Sequence, residues 1–284
     1  MLAKTRAINL VLICAFSALM YCCAGSRSNE SKIIRIKGSD TMFILIQRWA
    51  EIFMAENSGT AIYTEGGGTA EGVKTLIAGK AEICTASRLL RSEEASSLAA
   101  THSTLGISFL VAKDALSIYL HPSNPVKDLT LKQLKEIFSG KITNWAAVGG
   151  NDESIIVITR PPNSGTYVYF KDRILEGESY SSSAESRPTT NTVVETISQN
   201  PNAIGYGGIA YGLDLMHSKI NGISPSEESV RFDLYPITRY LYLYTINKPR
   251  GITKKFIDWI LSPQGQRIVK SIGYIPLWPI PARL

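Results

Sequence analysis

Seven consecutive residues concentrate the reactive chemistry of this chain: Arg160, Pro161, Pro162, Asn163, Ser164, Gly165 and Thr166. They fall between an apolar run at 154–159 that reads as a strand and a run at 166–175 that reads as a helix. Such a turn can aim backbone N–H groups, two hydroxyls and the positive end of a helix dipole at one point, with a guanidinium beside it. This equipment can hold an oxyanion. Ser-Gly-Thr is also an ordinary helix cap, so the rest of the chain must decide between the two readings.

The surrounding sequence alternates strand and helix. Residues 32–37 alternate polar and apolar as a strand, and Leu45, Trp49, Ile52 and Phe53 mark one helical face between Thr41 and Asn57. Residues 61–65 predict a second strand, followed by Gly66-Gly67-Gly68-Thr69. A short helix with Val73, Leu76 and Ile77 on its apolar side then stops at Gly79. A third strand at 81–85 runs into Ala86-Ser87-Arg88. Three successive turns thus carry glycine, hydroxyl or charged groups, and in open α/β sheets ligands gather at such strand ends.

Residues 107–112 and 116–120 predict two further strands, and Thr130 caps a helix to Phe138 with Gly140 as its stop. Residues 176–188 form a polar, serine-rich loop, 191–199 a helix, and 203–206 and 240–246 strands. Ser262-Pro263 opens the last helix with a hydroxyl cap and proline at its first position. The Gly66–Gly68 run lacks the Gly-Lys-Ser/Thr of a Walker loop and the spacing of a dinucleotide fingerprint. A plain flexible turn stays open as its reading.

With 284 residues, 44% hydrophobic and 19% charged, the chain has a normal globular composition and ample core. Its first 23 residues stand apart: Lys4 and Arg6 precede an apolar run at 8–20, with no acidic residue. That run is shorter than the roughly 20 residues of a spanning helix, so an export signal is expected, with a polar linker at 24–32. Cys14, Cys22 and Cys23 lie in or at the end of this leader, leaving Cys84 alone in the body and no internal disulfide after processing. Cys22-Cys23 followed by Ala24-Gly25-Ser26, with Leu19 upstream, resembles a bacterial lipid-attachment site, although Met20 and Tyr21 are bulky for that pattern. Lipid anchoring to a membrane and cleavage to a free protein both remain open.

The formal charge is +6, falling to +4 without Lys4 and Arg6, and is spread without a dense basic run. This favours anions by long-range steering and gives no basis for nucleic-acid binding. An enzyme using Ser164 as nucleophile would need a base in reach. His102, His121 and His217 stand beside no motif, and no His or Cys pair has metal-ligand spacing, so neither catalysis nor a metal or other cofactor is expected. The 13 tyrosines and four tryptophans fall mostly on apolar positions, where core packing accounts for them better than a sugar platform.

Seven motifs occur in one order: Gly38-Ser39-Asp40-Thr41, Gly66 to Thr69, Ala86-Ser87-Arg88, LKEIFSGKITNW at 134–145, Arg160 to Thr166, NAIGY at 202–206 and FIDWILSPQG at 256–265. In this the chain resembles bacterial phosphate-binding proteins of ABC transporters, over nearly all of residues 33–280. The resemblance implies a periplasmic-binding-protein fold: two α/β lobes joined by a hinge that the chain crosses twice, with one phosphate in the cleft. Lobe one would comprise 33–113 and 236–284, and lobe two 114–235. Phosphate contacts carry over onto Thr69, Ser87, Arg160, Ser164, Gly165 and Thr166, with Ser39, Asp40 and Thr41 in the first phosphate-facing loop. The implied partners are inorganic phosphate and the permease subunits of an importer, and a monomer is expected.

One departure affects selectivity. The best-known members have an aspartate directly after the serine of the third loop, where it accepts the proton of hydrogen phosphate and rejects sulfate. This chain has Arg88 there, as a shorter branch of the family does. Asp40 is then the candidate acceptor, with an N-cap or Asx turn as its alternative role. Arg88 and Arg160 are expected to balance the charge of a dianion. Sulfate, molybdate, tungstate and arsenate are the competing oxyanions, and a phosphate-sensing or adhesion protein would share the same site.

Overall fold

In the computed structural model, which describes residues 33–280, the three predicted turns lie at the ends of parallel strands. The expected export signal and linker, with Cys22 and Cys23, lie outside the described residues. Strand β1 (Ile33–Gly38) pairs in parallel with β2 (Ala61–Glu65) and β3 (Ile83–Ala86). Ile34 and Ile36 point inward from β1, the alternation seen in the sequence. Helix α1 (Phe43–Glu56) buries Leu45, Trp49 and Phe53, and α2 (Thr69–Ile77) buries Val73 and Leu76. A further helix, α3 (Ser92–His102), was not visible in the pattern because Leu98 is its one fully covered apolar residue.

Residues 107–112 and 116–120, expected as separate strands, form one strand, β4 (Ile107–Leu120). The polar pair between them does not break it, because both charges are paired. Lys113 Nζ meets Asp233 at 2.8 Å, and Asp114 meets Arg239 at 2.7 Å. After β4 come β5 (Asp128–Leu129), α4 (Leu131–Phe138), β6 (Ile156–Thr159), α5 (Gly165–Arg173), β7 (Glu185–Ser186) and α6 (Thr190–Ser198). Strands β8 (Ala203–Gly208), β9 (Met216–His217) and β10 (Lys219–Ile220) lead to α7 (Glu227–Arg231) and β11 (Thr238–Thr245). Helices α8 (Gly251–Ile260) and α9 (Pro263–Ile272) close the order, with Ser262 capping α9 as expected.

The main sheet runs β2-β1-β3-β11-β4-β8-β6-β7. Strand β4 changes partner along its length: residues from Ile107 to Ala115 pair with β11, and those from Leu116 to Leu120 pair with β8. The chain returns across the same line at β11, where Arg239 stands directly opposite Asp114.

Two large apolar clusters pack against the sheet, and the first reaches from β1 and α1 across to Ile158, Val193 and Ala203 of the other half. In it Trp49, Phe53 and Phe256 pack under β1 and β11, with Trp49 Nε1 donating to Gly265 O at 2.9 Å. In the second, Phe138, Phe170 and Tyr206 pack together, the last two stacked at 4.2 Å. The serine-rich 176–188 loop is anchored by Tyr180, whose ring stacks on Tyr167 at 4.6 Å and whose hydroxyl meets that of Tyr206 at 2.7 Å. That anchoring places the loop's carbonyls beside Arg160.

Candidate functional site

Three helix starts meet at one place. The first is a 3₁₀ turn, Asp40–Met42, that leads into α1 and is tied to β3 by Ser39 N donating to Thr85 O at 2.9 Å. The second is Gly66 to Thr69, where Gly68 adopts φ 91°, and a Cβ there would stand 2.6 Å from Asn163 O. The third is Ser164 to Thr166 at the start of α5, where Ser164 Oγ accepts from Thr166 N at 3.2 Å. Ala70 N donates to Asn163 O at 3.2 Å, and Asn163 Nδ2 donates to Gly67 O at 3.0 Å, joining the second and third turns directly. Each helix turns the positive end of its dipole toward the junction.

Hydroxyls line the same place. Thr41 Oγ1 and Thr166 Oγ1 are 2.9 Å apart although 125 residues separate them in sequence. A Cβ on Gly165 would lie 2.3 Å from Thr69 Oγ1 and 2.6 Å from Ser87 Oγ, so only glycine lets these groups close on the α5 terminus. Ser87 is fully buried and its Oγ has no hydrogen-bond partner, whereas Thr69 Oγ1 accepts from Ser87 N at 3.3 Å. A buried hydroxyl without a partner costs about 1–3 kcal/mol, and this one is free to donate to an acceptor.

Arg160 is buried at the end of β6. Its Nε donates to Arg187 O at 3.1 Å, Nη1 to Thr190 Oγ1 at 3.1 Å, and Nη2 to Pro188 O at 2.9 Å and Asp40 Oδ2 at 2.7 Å. Burial pushes its pKa below the ordinary arginine value, and Asp40 opposes that shift; the guanidinium stays charged. The other oxygen of Asp40, Oδ1, accepts from Gly67 N at 2.9 Å, so the carboxylate ties the first turn to the second and to Arg160 at the end of β6. Tyr211 holds the same residue from behind by donating to Asp40 O at 2.8 Å.

Arg88 behaves differently from the expectation. Both its Nη groups donate to Glu94 at 2.7 Å, and Nη1 also reaches Leu89 O at 2.9 Å, while the buried Nε has no partner. Burial acts to raise the Glu94 pKa, but the Arg88 hydrogen bonds, the Arg91 N–H and the charges of both arginines together outweigh it and hold the carboxyl below its usual range. A third buried pair, absent from the sequence reading, is Arg239 with Asp114, both almost fully covered. Burial pushes the Asp114 carboxyl up and Arg239 pulls against it. Arg239 Nη1 also donates to Thr166 Oγ1 at 2.9 Å, and Nη2 to Thr41 Oγ1 at 3.4 Å. A lone arginine and a lone aspartate inside apolar strands were the available signal, but their pairing depends on register between distant segments.

The expected charge balance therefore needs correction. Arg88 and Arg160 do not offer two uncompensated charges to a dianion, because each of Arg88, Arg160 and Arg239 already faces a carboxylate. Attraction for an anion here rests on oriented dipoles: helix starts, N–H groups and hydroxyls. Ser164 Oγ, considered as a nucleophile, is occupied by its own helix cap. His102 contacts Ile77 O, His121 contacts Ser123, and His217 contacts Gly212 O. Among the described residues no group of three His, Cys, Asp or Glu side chains is placed to hold a metal.

A mixed sheet whose long strand serves two halves, with dipoles focused where the strands of both end, defines a solute-binding protein of the periplasmic type. The chain belongs to the PBP superfamily, whose domain model matches residues 25–264. It is 30% identical over 290 residues to the phosphate-binding protein PstS of Bacillus subtilis, covering 96% of this chain and 95% of that protein. Among solved structures it resembles a substrate-binding protein from Clostridium perfringens with bound phosphate: TM-score 0.80, 31% identity, 87% of this chain and all of that one. An ABC-type phosphate transport receptor from Vibrio cholerae gives a TM-score of 0.71 at 28% identity, with 87% of this chain and 100% of that chain covered.

Proposed function

We propose that this protein captures inorganic phosphate outside the cytoplasm and delivers it to the permease subunits of an ABC importer. The observation that carries the reading is the meeting of three helix starts, two of which close on the buried, unpartnered hydroxyl of Ser87, with Arg160 tied to the other through Asp40. Phosphate is a small, strongly hydrated anion and gains affinity only where many fixed donors replace its water shell. The cage comprises Ser39, Asp40, Thr41, Thr69, Ser87, Arg160, Ser164, Gly165 and Thr166, while Arg88 braces the Ser87 turn through Glu94. The names of the relatives, phosphate-binding and phosphate-transport proteins, support the same ligand.

The lobes would be 33–113 with 236–284, and 114–235, hinged where β4 changes partner between Ala115 and Leu116 and where β11 begins. Cage groups from both sides let the anion favour the closed form by binding it better. No helix of the described residues is long and apolar enough to cross a membrane, and the leader would export the protein, with Cys22 or Cys23 as lipid attachment point. We expect a monomer that recognises its importer through the closed form.

Calorimetric titration of the anion-free protein with phosphate, arsenate, sulfate and molybdate tests the reading. Phosphate and arsenate should bind alike and sulfate far more weakly. Preferential binding of sulfate or molybdate would replace phosphate as the ligand, and no heat from any of the four would refute an oxyanion cage.

A further inference from the structure

The buried Arg239 touches both threonines of the cage, and the hydrogen-bond chemistry of that contact has a definite consequence. Arg239 is 2% exposed and is held across the two-strand crossing by Asp114, which is fully buried. Asp114 Oδ1 is in turn fixed by Ile209 N at 2.9 Å, so the guanidinium has little freedom to turn. A guanidinium only donates. Thr166 Oγ1 and Thr41 Oγ1 must therefore accept from it, at 2.9 Å and 3.4 Å.

The two hydroxyls possess two protons between them. One proton occupies the 2.9 Å contact that joins them. The other cannot face Arg239 and has to point away from the triad. Whichever threonine donates to the other, one O–H remains directed outward, and three of the pair's four lone pairs are taken up by Arg239 and the mutual bond, leaving one on the donating threonine. For a ligand rich in oxygen acceptors this is a favourable polarity, whereas an unconstrained hydroxyl pair can equally turn a lone pair toward the anion.

We propose that Arg239 is a positioning residue for oxyanion binding: it sets the Thr41–Thr166 hydroxyl pair as a donor toward the ligand, from the strand at which the two halves of the molecule meet. The inference rests on the phosphate-binding reading above. Thr41 comes from the first segment, Thr166 from the middle one and Arg239 from the returning one, so the polarity is set only when all three are assembled.

The test is a double-mutant cycle on phosphate affinity, built from Arg239→Lys, Thr166→Val and their combination. Lysine keeps a charge for Asp114 but lacks the planar fork that reaches both hydroxyls. The single changes should each weaken phosphate binding at least tenfold, and the combination should cost no more than about threefold beyond the worse single. Asp114→Asn with Arg239→Met, which removes both buried charges together, provides a second background for the same comparison. Affinity within threefold of wild type in Arg239→Lys, or a Thr166→Val penalty undiminished in either background, would overturn the inference. A merely structural Arg239 would lower the melting temperature of the anion-free protein without abolishing the Thr166 penalty. If wild type itself fails to bind phosphate, the functional reading fails instead.

Discussion

Asp40→Asn separates the two roles available to the residue at the centre of the cage. Its Oδ2 accepts from Arg160 at 2.7 Å and its Oδ1 from Gly67 N at 2.9 Å. An asparagine has one acceptor oxygen and one amide that donates, so either orientation sets a donor against the guanidinium or against the Gly67 N–H. One hydrogen bond is lost, at a stability cost of about 1.5–3 kcal/mol if it is the one to Arg160. The ligand effect has the opposite sign for different anions. A carboxylate with lone pairs to spare accepts the proton of hydrogen phosphate, but sulfate near neutral pH carries no proton and meets the carboxylate oxygen against oxygen. Replacing the carboxylate also removes the counter-charge of Arg160. Sulfate should therefore gain on phosphate by about 1–3 kcal/mol, or about 5- to 150-fold in the affinity ratio, the scale of a mismatched buried polar contact. Competition between the two anions at fixed pH and ionic strength, in wild type and mutant, measures that ratio. An unchanged ratio in a folded mutant would refute the acceptor role and leave Asp40 as a tie between loops.

Gly165→Ala should destabilise the protein by about 1–3 kcal/mol through overpacking, since its methyl would stand 2.3 Å from Thr69 Oγ1 and 2.6 Å from Ser87 Oγ. Phosphate affinity should fall at least tenfold in calorimetry, and normal affinity would show that these hydroxyls do not need to close on α5. Glu94→Gln should lower stability at neutral pH by about 1.5–3 kcal/mol, as a buried charge-assisted pair to Arg88 is broken. Because the folded Glu94 pKa lies below its ordinary value, the wild-type advantage is fully present above the unfolded carboxyl pKa of about 4.3 and is lost as pH falls through the folded one. Denaturant melts at pH 7 and in acid should show the two proteins converging, and a constant gap would count against the pair. His217 shifts the other way: burial lowers its pKa, so the unfolded chain takes up the proton first and stability declines as pH falls below about 6.5. His217→Asn should flatten that decline between pH 7.5 and 5.5, and an unaltered slope would place its origin elsewhere.

Most elements that position the cage were legible because their signals are local. Alternation in β1, the Thr130 and Ser262 caps and the glycine turn after β2 each declare themselves within a few residues. Strand β4 was divided on paper because Lys113-Asp114 reads as an interruption until Asp233 and Arg239 arrive from elsewhere to neutralise it. The same limit applies to the site. Its loops could be found one at a time, but the partners of Arg160 and Arg239 lie 120 and 125 residues away, and these pairings decide how much positive charge faces the ligand. A count of arginines in the motifs therefore overstates that charge. With Arg88, Arg160 and Arg239 each matched by a carboxylate, the proposed cage would discriminate among tetrahedral anions through the direction of individual protons on Thr41, Ser87 and Thr166. For Thr41 and Thr166 those directions are constrained by Arg239, which stands behind both hydroxyls. A substitution such as Arg239→Lys, which leaves every group of the proposed cage in place, can then alter affinity as much as a change within the cage.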